Sequence, residues 1–246
     1  MKNAENVKIY LQTAIKHGLY SNEVNLKYKL EILFQGIDFE GKTVLDIGGG
    51  AGLFSFYAAA MGANKVVCLE PEASGSTANV NKIFNELKNE LKYDNVDLVP
   101  KVFQEFETEK EYFDIVLLHD SINHLNEEAC IDLLNNNKSR ETYKDIFSKL
   151  YSMSKINAKL IVCDCSRFNF FDTMKIKNPI APSIEWHKHQ KPGAWIKLLK
   201  EVGYSDPILK WSSFNRLRNI GRIFLANKLM SYFLTSHFCL TMTKNK

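Results

Sequence analysis

No run of about 18 consecutive apolar side chains occurs in the 246 residues, so no segment reads as a membrane span. The nearest approach, residues 223–238, is broken by Asn227, Lys228, Ser231, Ser236 and His237. The opening MKNAENVKIYLQTAIK has neither an apolar centre nor a small-residue cleavage pattern, which argues against a secretory leader. Proline is scarce, at 6 residues, and there is no Gly/Ser linker, internal repeat or low-complexity tract. The expectation is one domain over residues 1–246. Cysteines number 5 (Cys68, Cys130, Cys163, Cys165 and Cys239), an odd count without paired C-x-x-C spacing. A disulfide framework and a cysteine zinc site are excluded on that count, no metal is expected, and a reducing, cytoplasmic setting is. Cys163 and Cys165 sit inside the apolar run LIVCDC and read as small buried strand residues.

The net charge of +4 hides an asymmetry: residues 1–154 carry −7 and residues 155–246 carry +11. A basic second half points to an anionic partner, whether phosphorylated small molecule, acidic surface or nucleic acid. The basic residues are not interleaved with an aromatic stacking platform, which argues against nucleic acid. Lys175, Lys177, Lys197 and Lys200 read as solvated.

Short runs rich in Val, Ile and Leu recur at 43–48 (TVLDIG), 65–70 (KVVCLE), 96–101, 113–119 (FDIVLLH) and 159–164 (KLIVCD). Strands apolar at nearly every position are buried on both faces, as in a parallel sheet. Helical stripes lie between them: Val80, Ile83, Phe84, Leu87 and Leu91, then Tyr143, Ile146, Phe147, Leu150 and Met153, with a further helix over 53–61 closed by Gly62. The alternation predicts an α/β fold, a doubly wound, mostly parallel sheet preceded by N-terminal helices over 1–40. Further on, Trp195, Leu198, Leu199 and Val202 form a helix stripe, and 207–211 and 232–243 read as two more strands joined by a basic segment, 215–228.

Residues 44–55 read VLDIGGGAGLFS, a strand opening into a glycine turn and then a helix. Such a turn lets backbone approach a ligand and aims helix N–H groups at it. The G-x-G-x-x-G dinucleotide fingerprint fails in either register, since Leu53 or Ser55 falls where its third glycine belongs. Asp46-x-Gly48-x-Gly50-x-Gly52, with Gly49 between, instead resembles motif I of the class I S-adenosylmethionine-dependent methyltransferases. Glu70, 22 positions after Gly48, ends the second strand and is followed by Pro71, where a carboxylate can accept both ribose hydroxyls. The resemblance spans about residues 41–164, the cofactor core, and leaves 165–246 as substrate-side loops and a terminal strand pair. It implies a seven-stranded Rossmann-like sheet with an antiparallel last strand and S-adenosylmethionine as cofactor, released as S-adenosylhomocysteine. Asp46 is then expected to organise the cofactor's amino-acid end, and Phe103, Gln104, His119, Asp120 and Ser121 to border its adenine.

Methyl transfer from a sulfonium is an in-line displacement that asks the protein to align a lone pair and exclude water. An amine need only be held neutral, whereas a hydroxyl benefits from a general base. The segment after the fourth strand reads Asp120-Ser121-Ile122-Asn123 and departs from the [DNS]PP[YFW] motif of nucleobase-amine methyltransferases. Asp120, His124, His187 and His189 are the candidate acid–base residues. Arg167, Lys188, Arg216, Arg218 and Arg222 are the candidate anion-binding residues, the arginines for their forked donors. Tyr20, Tyr28, Trp186 and Gln190 complete the expected acceptor contacts, the aromatic rings being suited to a cationic amine. The expected acceptor is a small anionic molecule, phosphoethanolamine-like, with a sugar or nucleotide-linked sugar as the alternative. The alternative from another class is a nucleic-acid-binding module with a vestigial cofactor fold; the oligomeric state is left open.

Overall fold

The computed structural model of the chain describes residues 2–71 and 79–245. Its sheet has seven strands in the order β3-β2-β1-β4-β5-β7-β6, where β1 is Thr43–Ile47, β2 Lys65–Leu69, β3 Val96–Val99, β4 Phe113–His119, β5 Ser154–Cys165, β6 Tyr204–Trp211 and β7 His237–Lys244. The chain divides into two compact units, residues 1–108 with 112–118, and residues 109–111 with 119–246. Among the described residues, no helix is long and apolar enough to cross a membrane.

In the first unit β1 pairs in parallel with β2 and β4, and β2 with β3. Val44, Leu45, Val66, Val67, Ile115 and Val116 are all buried, as expected of parallel strands covered on both faces. Helix α3 (Leu53–Ala60) is buried at nearly every position. Tyr10 of α1 (Lys2–Lys16) stands against it, its ring 5.8 Å from Tyr57 and its hydroxyl donating to the Leu53 carbonyl at 2.5 Å. Helix α2 (Glu23–Leu33) starts at an Asn22 cap whose side chain accepts from the Asn25 N–H. The predicted stripe on α4 (Val80–Leu91) turns Val80, Phe84 and Leu87 inward.

In the second unit β7 lies between β5 and β6 and runs antiparallel to both. Helices α5 (Glu127–Asp132), α6 (Asn137–Met153), α7 (Phe170–Thr173), α8 (Pro192–Glu201), α9 (Arg218–Leu225) and α10 (Lys228–Phe233) complete it. The α6 stripe buries Tyr143, Ile146, Phe147, Leu150 and Met153. Trp195 of α8 packs on it, 5.1 Å from the Tyr143 ring and 5.9 Å from Phe147; burying such side chains is worth about 1.5–3 kcal/mol each. Lys244 is buried near the end of β7, yet its ammonium donates to the Tyr151 and Ser154 carbonyls and pairs with Glu111. That pairing removes the penalty of a buried lone charge.

Several element boundaries differ from the sequence expectation: β3 ends at Val99 and not at 101, and β6 begins at Tyr204 and not at 207. The strand expected over 232–243 starts only at His237, because Asn227 caps a helical turn by accepting from Met230 N–H and the chain then turns through Ser236 at φ +48°. β5 begins at Ser154, directly after α6, instead of at 159.

Candidate functional site

The glycine turn after β1 closes on the end of β2. Gly48 N–H donates to the Leu69 carbonyl at 2.8 Å, and Gly50 N–H donates to Oε2 of Glu70 at 2.9 Å. Glu70 is buried, and a carboxylate can accept several hydrogen bonds. Asp46, 1% exposed, accepts from the Ser55 hydroxyl on Oδ2 at 2.7 Å. Its Oδ1 is buried and has no partner among the described residues. Burial pushes the Asp46 carboxyl up to about 6, against the lowering effect of the Ser55 bond and with the Glu70 charge adding to the rise. Burial likewise holds the Cys68 thiol well above its ordinary range.

Gly49 and Gly50 are glycine for different reasons. A Cβ on Gly49 would stand 2.6 Å from Cys68 Sγ and 2.7 Å from Asp46 Oδ2, whereas one on Gly50 would meet no atom of the described residues within 4 Å. Gly50 at φ +54° therefore borders open space. An open cradle beside a buried, orphaned carboxylate oxygen and a strand-end glutamate suits a ligand with both a cationic group and a vicinal diol. S-adenosylmethionine has both. Gly52 caps α3, Pro71 follows Glu70, and a 3-10 turn over Phe103–Glu105 buries Phe103 and exposes Gln104. In the same unit Lys29 lies over the Tyr20 ring at 5.8 Å, and the Tyr28 hydroxyl is buried with no partner among the described residues.

In the second unit the segment after β4 is braced from α6: the Tyr143 hydroxyl lies within 3.0–3.3 Å of the Ile122, Asn123 and Asn126 carbonyls. His119 Nδ1 lies 3.0 Å from Asp120 Oδ2, and His237 Nε2 3.4 Å from Asp120 Oδ1. Desolvation acts to raise the Asp120 carboxyl, but the two imidazoles outweigh it and hold the group well below the usual carboxylate range. Ser121 is buried. His124 is exposed and meets Glu127 at 2.6 Å.

The 185–190 cluster is less open than its composition suggested. Trp186 is buried, and Gln190 is fully buried with its amide donating to the Cys130 carbonyl at 2.5 Å. Lys188 is held between Glu185 at 2.9 Å and Glu127 at 3.3 Å. His187 is exposed. His189 Nδ1 lies 2.9 Å from Oδ1 of the fully buried Asp164, an aspartate that residue patterning had left inside a strand. Arg167 reaches the Ile131 carbonyl at 3.5 Å. Arg216, Arg218 and Arg222 lie on the exposed 215–225 segment and form no ion pair among the described residues. Ser55, Asp164 and His237 were not singled out in the sequence, where nothing in their spacing ties them to Asp46, His189 or Asp120.

A methyltransferase domain family matches residues 44–139. A curated relative, the histone-arginine methyltransferase CARMER of Drosophila mojavensis, is 49% identical over 43 residues, 18% of this chain. The match spans only 8% of that relative's length. Among solved structures, an S-adenosylmethionine-dependent methyltransferase from Mesorhizobium loti aligns with a TM-score of 0.60 at 12% identity, covering 88% of this chain and 97% of the other. One from Aquifex aeolicus aligns at 0.57 and 14%, covering 89% of each. A phosphoethanolamine N-methyltransferase 2 from Haemonchus contortus, bound to phosphomonomethylethanolamine and S-adenosylhomocysteine, aligns at 0.58 and 16%, covering 90% of this chain and 52% of that one.

Proposed function

We propose that the chain is a class I S-adenosylmethionine-dependent methyltransferase, a reading supported by the methyltransferase domain match over residues 44–139, and that it methylates the amine of a small anionic acceptor, with a phosphoethanolamine-like compound as leading candidate. The observation carrying this reading is the set of three arginines, Arg216, Arg218 and Arg222, exposed and unpaired by any acid among the described residues. Lys188 in the same unit is already neutralised by two glutamates. Planar guanidinium forks suit a phosphate better than a point charge does. The Haemonchus structure, which carries a phosphorylated amine, is in keeping with that choice.

S-adenosylmethionine brings an activated methyl group on its sulfonium. Asp46 would meet its ammonium and Glu70 its ribose hydroxyls, the backbone at Gly50 would leave room for it, and Phe103 and Gln104 would lie toward the adenine. An amine acceptor needs no strong base, only a neutral lone pair held in line.

One observation favours a second reading, O-methylation of a sugar or nucleotide-linked sugar. Asp164 holds His189 through Nδ1 at 2.9 Å, an arrangement that leaves Nε2 to take a hydroxyl proton. Incubation with methyl-labelled cofactor and a panel of phosphorylated amines, sugars and nucleotide sugars, followed by mass spectrometry of the product, decides between them. An N-methylated phosphoamine supports the first reading. A methyl ether overturns it in favour of the second, and label transferred only to RNA or protein overturns both.

A further inference from the structure

We propose that His119, Asp120 and His237 form a binding site for one divalent transition-metal ion, with zinc as the reference ion. His119 ends β4, Asp120 follows it, and His237 opens β7 opposite Cys165 at the end of β5. The pairing of β7 with β5 thus brings together residues 117 positions apart, and their spacing carries no metal signature. One ligand atom from each of the three lies within 4.8 Å of the others.

Two separations in the cluster, each to a different oxygen of Asp120, are of the size found between neighbouring ligands of a coordination shell. Nitrogen and oxygen ligands held about 2.0–2.1 Å from a metal in tetrahedral or octahedral geometry stand roughly 2.9–3.4 Å apart. Asp120 Oδ2 lies 3.0 Å from His119 Nδ1, and Asp120 Oδ1 lies 3.4 Å from His237 Nε2. The two rings are tilted by 43° with centroids 5.8 Å apart, so they converge on the carboxylate without stacking on each other.

The surroundings supply what a metal-binding imidazole needs. Ser212 Oγ lies 3.0 Å from His237 Nδ1, which fixes that ring and leaves Nε2 toward Asp120; such partners are the usual second support of a metal-binding histidine. Asp120 adopts φ +53° and is anchored by its N–H donating to the Cys163 carbonyl at 2.8 Å. That conformation aims the carboxylate between the two imidazoles, and no lysine or arginine pairs with it among the described residues.

Two imidazole nitrogens with one carboxylate oxygen favour zinc or a neighbouring first-row ion over magnesium or calcium, which prefer all-oxygen shells. Three protein ligands leave at least one position open to an oxygen of a bound molecule. The site stands independently of which acceptor is methylated.

The test uses the full chain stripped with a chelator and titrated with zinc by calorimetry and with cobalt(II) by visible absorption. One equivalent should bind, with ligand-field bands of a nitrogen–oxygen shell. Asp120→Asn and His237→Gln should each weaken binding by about a hundredfold or more, and Ser212→Ala by about tenfold. His17→Ala, at the exposed pairs with Glu86 and Glu90, should change nothing. Absence of stoichiometric binding, or binding unaffected by Asp120→Asn and His237→Gln, overturns the proposal. If those variants fail to fold, cobalt-shifted proton resonances of wild type decide: shifts on the His119 and His237 rings support the site, and shifts confined to other histidines overturn it.

Discussion

The N–H of Gly50 donates to Glu70 Oε2 across 2.9 Å, so the residue expected to grip the ribose also latches the glycine turn to the second strand. Glu70→Ala should therefore lose both contacts and weaken S-adenosylhomocysteine binding by more than the tenfold that one charge-assisted hydrogen bond implies, about 1.5–3 kcal/mol. Glu70→Gln keeps an acceptor for Gly50 and should lose less. Calorimetric titration of both variants measures the difference, and unchanged affinity in Glu70→Ala removes the ribose assignment.

Adjacent glycines should respond in opposite ways. Gly49→Ala places a Cβ within 2.6–2.8 Å of Cys68 and Asp46 and should lower the melting temperature sharply. At Gly50→Val the Cβ meets no atom of the described residues within 4 Å, so its main folding cost is the left-handed backbone, about 1–2 kcal/mol. The fold should survive while cofactor binding is lost. A folded Gly50→Val that binds S-adenosylhomocysteine normally would place the cofactor elsewhere.

Asp46 should make cofactor binding depend on pH. Its carboxyl is pushed up to about 6 from an ordinary 3.8, so the folded state favours the protonated form. That contribution to stability is present at low pH and disappears as pH rises through about 6, where ionisation leaves a buried charge. Asp46→Asn should accordingly stabilise the cofactor-free protein above pH 7 by up to about 2–3 kcal/mol, with no gain below pH 4. Pairing with the cofactor's ammonium requires the ionised form, so wild-type affinity should climb between about pH 5 and 7 and Asp46→Asn should be weak and flat. Thermal melts and calorimetry across that range check both signs.

With the true acceptor, alanine at whichever of Arg216, Arg218 and Arg222 holds the phosphate should lower kcat/KM by at least about tenfold. Cofactor affinity should hardly move, and lysine there should restore only part of the loss. Lys175→Ala and Lys197→Ala serve as surface controls. Steady-state kinetics in which all three arginine variants match those controls would turn attention to a neutral sugar.

The first two strands, β4 and the α4 and α6 stripes were readable because their signals are local: runs apolar on both faces, or a 3.6-residue period. The start of β5 was not, since 154–158 contains one large aliphatic residue, Ile156, which is 54% exposed. Residues 232–233, which end the helix Lys228–Phe233, read as the start of a strand because tyrosine and phenylalanine suit either state and the Asn227 cap weighs less than that composition. In the candidate site, the glycine turn and Glu70 follow from a motif within 25 residues. The Asp120–His237 pair depends on the β5–β7 register and the Asp164–His189 pair on how the loop after Trp186–Lys188 folds back, and no single window of sequence contains either.

β7 is the interior strand of its three-strand group although it is the last to be made. Lys159 must wait for Thr243, 84 residues later, before their side chains can meet, and β6 has no partner on that side until β7 arrives. During synthesis, β5 and β6 therefore stand beside an empty slot, with unpaired edges of the kind that attract other chains. Closing it is a long-range event with a slow, entropy-limited rate, which makes the emerging chain most exposed to chaperones just before the final strand slides in.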